Sequence, residues 1–365
     1  MSPSALRRQI GQLLIAGFNG HQIGPELRSM AKEFGLGGVI LFARNIDDPE
    51  QVAEVAFDAA RLLPDLPAWV SVDQEGGRVA RLKAPFTEWP PMATLGRCGD
   101  VKLAERFARA LASELKTVGI TLDYAPVLDI HTNSKNPVIG DRALAEKAED
   151  VARLGSAIVR TLQAEGIAAC GKHFPGHGDT STDSHFELPL VEHPPDRLRR
   201  VEFVPFKAAI AAGVATIMTA HVLVPSLDEQ RPASLSRHIV TDLLRRELRY
   251  DGVILSDDLE MKAIAAGYEV PEAAVLAIEA GCDGVLICSG DHQTQAAALE
   301  ALIHAVEQER LPFARVEDAL TRQRRAKERF LASPVAAKPA GGRALRDALG
   351  RDEHRAIAEE MARFL

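Results

Sequence analysis

Residues 172–185, KHFPGHGDTSTDSH, crowd three histidines, two aspartates and a lysine into fourteen positions, with Pro175, Gly176 and Gly178 among them. Imidazole and carboxylate together can ligate a transition metal. A lysine of lowered pKa can form a Schiff base. A histidine beside a carboxylate can move a proton in either direction near neutral pH. Two further segments are as dense in polar groups, VDQEGGRVARL at 72–82 and SDDLEM at 256–261. Which chemistry they serve depends on what brings them together.

Short aliphatic runs at 12–18, 38–42, 68–73, 121–126, 167–172, 214–219, 252–257 and 284–289 read as eight strands. Helical periodicity separates them at 50–63, 101–118, 144–165, 196–212, 237–248, 271–280 and 293–308. Continuous apolar strands alternating with helices imply a parallel sheet buried on both faces. Eight of them in one chain favour a (β/α)8 barrel, whose active sites lie at the C-terminal strand ends. The charged residues fall there: Asp73, Glu75, Arg78 and Arg81 after the third strand, and Asp123, Asp129 and Arg142 after the fourth. Lys172 and His173 end the fifth, His221 the sixth, and Ser256, Asp257 and Asp258 the seventh. Singly, each has a structural reading: Asp129 or Asp258 as a helix cap, His221 as a satisfied core histidine, Arg78 as half of an ion pair. Five strand ends aiming charge at one volume favour a ligand site, because burying such groups together is costly without one.

Composition narrows the partners. The 365 residues are 46% apolar and carry a formal net charge of −8, which argues against a nucleic-acid or anionic-lipid binder. Cys98, Cys170, Cys282 and Cys288 show no C-x-x-C spacing and read as reduced. The run after Arg7 and Arg8 is short and interrupted by Gln9 and Gln12, and no stretch approaches a membrane span, so a cytoplasmic protein is expected. The dinucleotide and P-loop signatures are missing. The expected organisation is a single-domain catalytic barrel over 1–332, extended by a helix at 314–332, then a Pro/Gly linker at 333–343 and a C-terminal helix at 344–365.

For a metal, His173, His177, Asp179, Asp183 and His185 are available, but barrel metallohydrolases usually start with H-x-H on the first strand, and QLLIAGF has no ligand. No metal and no cofactor are expected. Asp73, Asp123 and Asp257 would hold Lys172 charged, against a Schiff base. Retaining cleavage of a glycosidic bond needs a carboxylate nucleophile, a proton donor at the leaving oxygen and charged groups on the ring hydroxyls. Asp257 suits the first task; no isolated glutamate suits the second.

KHFPGHGDTSTDSH with SDDLEM and VDQEGGRVARL resembles glycoside hydrolase family 3, in particular its single-domain bacterial β-N-acetylglucosaminidases of peptidoglycan recycling, over roughly residues 8–330. The resemblance implies Asp257 as nucleophile, His185 as acid/base and Asp183 as its orienting partner. It implies sugar contacts from Asp73, Arg81, Arg142, Lys172 and His173. The implied substrate is a small muropeptide, GlcNAc β-1,4-linked to 1,6-anhydro-N-acetylmuramic acid with or without peptide, and a monomer is favoured. A phosphorylase on the same barrel, a non-catalytic sugar-binding barrel and, more distantly, a barrel aldolase are the rival expectations.

Overall fold

Val, Ile and Leu in runs too short for helices become strands whose residues are almost all buried. In the computed structural model, which describes residues 3–63, 66–184, 187–331 and 342–365, the order begins α1 (Pro3–Gly11), β1 (Leu14–Ala16), α2 (Pro25–Phe34), β2 (Gly38–Leu41), α3 (Pro49–Ala60) and β3 (Trp69–Val72). A hairpin of β4 (Gln74–Gly76) and β5 (Val79–Ala80) follows, then α4 (Ala93–Cys98), α5 (Val101–Thr117), β6 (Leu122–Asp123), α6 (Ala148–Ala164) and β7 (Ala168–Phe174). The chain continues through α7 (Pro195–Arg200), α8 (Phe203–Ala211), β8 (Thr216–Thr219), a π-type helix over His238–Glu247, β9 (Val253–Asp258) and α9 (Lys262–Ala265). It ends with α10 (Val270–Ala280), β10 (Gly284–Ile287), α11 (His292–Glu307), α12 (Phe313–Phe330), α13 (Arg343–Asp347) and α14 (Asp352–Ala362).

Eight strands close in the order β1-β10-β9-β8-β7-β6-β3-β2, every neighbouring pair parallel. This is the (β/α)8 barrel that the sequence implies. Ile15, Ile40, Trp69, Leu122, Cys170, Met218, Leu255 and Leu286 fill the lumen, while neighbours such as Leu14, Val39 and Val70 face the helices. That alternation is the period of two expected of strands with two buried faces.

The expected helix at 196–212 is two helices. Pro205 cannot donate to the carbonyl of Val201, and its ring crowds that position, so the turn breaks between α7 and α8. The expected helix at 344–365 is likewise split into α13 and α14; Gly350 between them has φ +51°, and a Cβ there would lie 2.3 Å from the Pro85 carbonyl. Most of the expected linker, 333–341, lies outside the described residues. Helices α1, α2 and α4 and the β4–β5 hairpin were not expected. No described helix is long and apolar enough to cross a membrane.

The C-terminal segment is anchored on α5 by one buried carboxylate. Glu114 accepts the Thr87 N–H (2.9 Å) and hydroxyl (2.7 Å), the Gly350 N–H (2.9 Å) and a ring nitrogen of His354 (2.9 Å). Leu345, Leu349, Ile357 and Met361 join the main core around it.

Helix α12 covers the N-terminal end of the barrel, with Ala326 and Phe330 packed on the lumen and Gln323 accepting the Trp69 indole N–H at 3.2 Å. On the same helix Lys327 is 1% exposed, and its ammonium donates to Gln12 Oε1 at 2.8 Å. Burial pushes its pKa down to about 7. A lysine whose folded pKa lies below its unfolded one opposes folding in full below the folded pKa, and this opposition fades as pH rises through the interval in which only the unfolded chain keeps the proton. The wild-type urea midpoint should therefore climb relative to that of Lys327→Met between about pH 7 and the ordinary lysine value of 10.5. Parallel midpoints would show that Lys327 stays charged inside the fold.

Candidate active site

The strand ends named from sequence open into a cavity of about 280 Å³ whose lining includes Asp73, Arg81, Arg142, Lys172, His173 and Asp257. A larger groove of about 1040 Å³ lies between residues 84–88 and the C-terminal segment. It is edged by surface charges such as Arg346, Arg351 and Glu353 and shares no residue with the strand-end cluster. The smaller cavity holds the chemistry.

Its first wall comes from the turn after β3. Gln74 donates its N–H to Asp123 (3.0 Å), and its side-chain oxygen accepts the N–H groups of Arg81 (2.8 Å) and Leu82 (3.0 Å). The hairpin is thereby folded back so that Asp73 and Arg81 face each other, Nη2 to Oδ2 3.5 Å. Gly76 and Gly77, at φ +114° and +55°, make a turn that residues with a Cβ would strain.

A line of alternating charge crosses the cavity floor. Lys172 donates to Asp73 at 2.8 Å and lies 2.7 Å from Glu75, and Glu75 accepts two bonds from Arg142, at 2.8 and 2.9 Å. Lys172 is 2% and Glu75 2% exposed. Burial opposes the charge on Glu75, but Arg142 and Lys172 outweigh it and hold the carboxyl well below its usual range. Burial likewise opposes the Lys172 charge, and Asp73 and Glu75 reverse the sign, so the ammonium is held more firmly than an exposed lysine's. That is the opposite of what a Schiff-base lysine needs. Asp123, fully buried behind this line, goes the other way. Desolvation raises it well above the carboxylate range despite the Gln74 bond, and its Oδ2 meets no partner among the described residues.

Strand β7 ends by placing His173 beside Lys172. The His173 Nδ1 is 2.7 Å from Asp129 Oδ2, and Asp129 also accepts the backbone N–H groups of His173 (3.2 Å) and His177 (2.7 Å). Burial raises Asp129, but the two histidines bring it below its ordinary value. An ionised Asp129 accepts a hydrogen bond from Nδ1–H, which fixes the His173 tautomer. Asp129 is thus a ring-orienting carboxylate and not the helix cap that its position suggested.

Strand β9 presents Asp257. Burial raises its pKa, but His221, His173, the Asp258 N–H at 2.8 Å and Lys172 together bring it below the ordinary value, so it is ionised at neutral pH. His221 donates from Nε2 to the Asp258 carbonyl at 2.9 Å and contacts Ser234 Oγ through Nδ1 at 2.7 Å. It therefore braces the strand end that carries Asp257. The neighbouring Asp258 is pushed up to about 7 by burial, which two backbone N–H bonds to its Oδ1 only partly offset.

Of the remaining expected residues, Asp183 is half-buried on the loop after β7, and His185 lies outside the described residues. Ser184, between them, lines the cavity. Glu75, Asp129 and His221 take part in the site although the sequence reading assigned them no role. Glu75 had a visible signal, a carboxylate two residues from Asp73 in front of a Gly-Gly turn. Its partners Arg142 and Lys172 are 67 and 97 positions away, so the pairing itself was not legible.

The family model for the glycosyl hydrolase family 3 N-terminal domain matches residues 5–326. A β-hexosaminidase of Thiobacillus denitrificans is 40% identical over 260 residues, covering 70% of this chain and 72% of its own. One from Pseudomonas aeruginosa is 39% identical over 290 residues, covering 79% and 86%. Among solved structures, a family 3 β-N-acetylglucosaminidase from a Paenibacillus species superposes with a TM-score of 0.94 at 43% identity, over 98% of this chain and 68% of that one. NagZ from Neisseria gonorrhoeae in complex with N-trifluoroacetyl-D-glucosamine does so with a TM-score of 0.76 at 30% identity, over 96% and 97%. With a closed barrel and a charged cavity at its strand ends, the chain belongs to glycosyl hydrolase family 3 and is a glycoside hydrolase.

Proposed function

We propose that this protein is a retaining β-N-acetylhexosaminidase that removes terminal β-linked GlcNAc through a covalent glycosyl-aspartate intermediate. The observation that carries the reading is Asp257, a half-buried carboxylate kept ionised at the mouth of β9 and facing a cavity lined by Arg81, Asp73, Lys172 and Arg142. Such a floor suits a ring with several hydroxyls: the carboxylate accepts, the ammonium and guanidinium groups donate, and each is already oriented by the others. The β-hexosaminidase relatives support the N-acetyl sugar.

In this reading Asp257 attacks the anomeric carbon as the bond to the leaving oxygen breaks, and that oxygen takes a proton from His185. Water then gives a proton to His185 and its oxygen to the anomeric carbon, releasing Asp257 and returning the original configuration. Asp183 is the carboxylate that, in this reading, orients His185 for both proton transfers. His173, fixed by Asp129, contributes a further sugar contact. The natural substrate in this proposal is a muropeptide of peptidoglycan recycling carrying GlcNAc on 1,6-anhydro-N-acetylmuramic acid, handled by a cytoplasmic monomer without metal or cofactor.

Proton NMR of the first-formed sugar from an aryl β-N-acetylglucosaminide, with and without phosphate, tests the reaction class. β-GlcNAc in both buffers is the expected result. α-GlcNAc would overturn retention, and GlcNAc-1-phosphate would make the enzyme a phosphorylase.

A further inference from the structure

The loop after β7 contains a second histidine that the mechanism above leaves unused. His177 is 2% exposed, lines the same cavity, and has both ring nitrogens engaged. Nδ1 is 2.7 Å from Thr180 Oγ1, and Nε2 is 3.2 Å from Ser184 Oγ. The Thr180 hydroxyl has one proton, which it donates to the His177 carbonyl at 3.1 Å. Its oxygen therefore accepts from Nδ1–H, leaving the Nε2 lone pair to accept the proton of Ser184. Burial pushes His177 down to about 4, so the ring is neutral and this lone pair is present throughout the neutral range.

A buried histidine with two hydrogen bonds usually needs no functional reading. The distribution of these contacts argues for one. The backbone of His177 is tied to the barrel, its N–H to Asp129 at 2.7 Å and its carbonyl to the Asn136 amide at 2.8 Å. At Gly178 a Cβ would lie 1.7 Å from the Ile130 carbonyl, so the neck of the loop is pressed against the chain after β6. The ring, by contrast, spends both nitrogens on the loop itself, three and seven residues further on. The Ser184 carbonyl in turn accepts the Ala263 N–H at 3.2 Å, which joins this end of the loop to the segment following Asp257. His177 is thus a strut from the barrel to the residue immediately before His185.

We propose that His177 is a positioning residue for proton transfer, acting through Ser184, the sequence neighbour of the proposed acid/base His185. The proposal rests on the reading of His185 as the acid/base, and the test separates the two. His177→Ala, Ser184→Ala and His185→Ala are assayed on phenyl and on 2,4-dinitrophenyl β-N-acetylglucosaminide. Only the first substrate needs a proton on its leaving group. His177→Ala should lose about 100-fold in kcat/KM on the phenyl substrate and less than about 5-fold on the dinitrophenyl one. Ser184→Ala, which keeps the histidine and removes its contact, should lose about 10-fold with the same asymmetry. In both, KM on the phenyl substrate should stay within about 3-fold of wild type, whereas on the dinitrophenyl substrate kcat and KM should fall together as release of the glycosyl-enzyme becomes limiting. Azide, a nucleophile that needs no general base, should accelerate dinitrophenyl turnover in His177→Ala and yield the β-glycosyl azide.

Equal losses on both substrates would make His177 structural and overturn the proposal. If His177→Ala fails to fold, Ser184→Ala decides: the asymmetry supports the strut, and a wild-type substrate ratio overturns it. Asymmetry in His185→Ala alone overturns the proposal and leaves the acid/base reading standing. A symmetric loss in His185→Ala removes that reading, and the proposal with it.

Discussion

Asp257→Ala should abolish turnover, with kcat falling by at least about 10⁴-fold on every substrate while the protein stays folded. The alanine removes the only group proposed to bond the anomeric carbon. Folding should tolerate the change because burial works against the Asp257 charge, which is offset by His221, His173, the Asp258 N–H and Lys172. Chemical rescue makes the test specific. With the dinitrophenyl substrate, azide can occupy the space left by the carboxylate and attack from the same face, giving the α-glycosyl azide. That product has the opposite configuration to the one expected from the His177 variant, so the two halves of the mechanism are read by stereochemistry and not by rate alone. Residual kcat above about one hundredth of wild type would count against Asp257 as nucleophile.

Lys172→Met should lower kcat/KM by about 10²- to 10³-fold, the scale of loss when one member of a buried ionic network is removed. Methionine keeps most of the volume but leaves Asp73 and Glu75 without the cation they share at 2.8 and 2.7 Å. Glu75 retains Arg142, and Asp73 retains the weaker 3.5 Å contact with Arg81. A pH profile separates this from simple loss of a sugar contact. Lys172 is one of the groups that lower the Asp257 pKa, so its removal raises that pKa. The acidic limb of kcat/KM, where ionised Asp257 is needed, should then move to higher pH. An unshifted limb with a reduced plateau would confine Lys172 to substrate contact.

Much of this site was legible because barrel architecture converts strand ends into a list of candidates. Once eight apolar runs are recognised, the residues that follow them must share one face, and Asp73, Arg81, Arg142, Lys172, His173 and Asp257 do line one cavity. Glu75 shows where that logic stops. It follows the same strand as Asp73, yet its value to the site comes from Arg142 and Lys172, contributed after two other strands. Asp129 was equally misleading, since an aspartate after a strand resembles a cap until His173 is found 2.7 Å away.

By itself, then, the sequence determined the barrel, through the alternation of doubly buried strands and amphipathic helices, and the set of polar groups at its mouth, through their position after those strands. Tertiary structure alone decided the protonation of those groups, because it sets both burial and neighbours. Among carboxyls of one chemical type, Glu75 is held low by Arg142 and Lys172, and Asp257 by its histidine neighbours, the Asp258 N–H and Lys172, while Asp123 and Asp258 are raised by desolvation with too little compensation. It also decided the break at Gly350 and the docking of the C-terminal segment on Glu114, since these depend on a close approach to Pro85 and on contacts more than 200 residues apart. Local pattern reports which way a residue faces; only the assembled fold reports what it meets there.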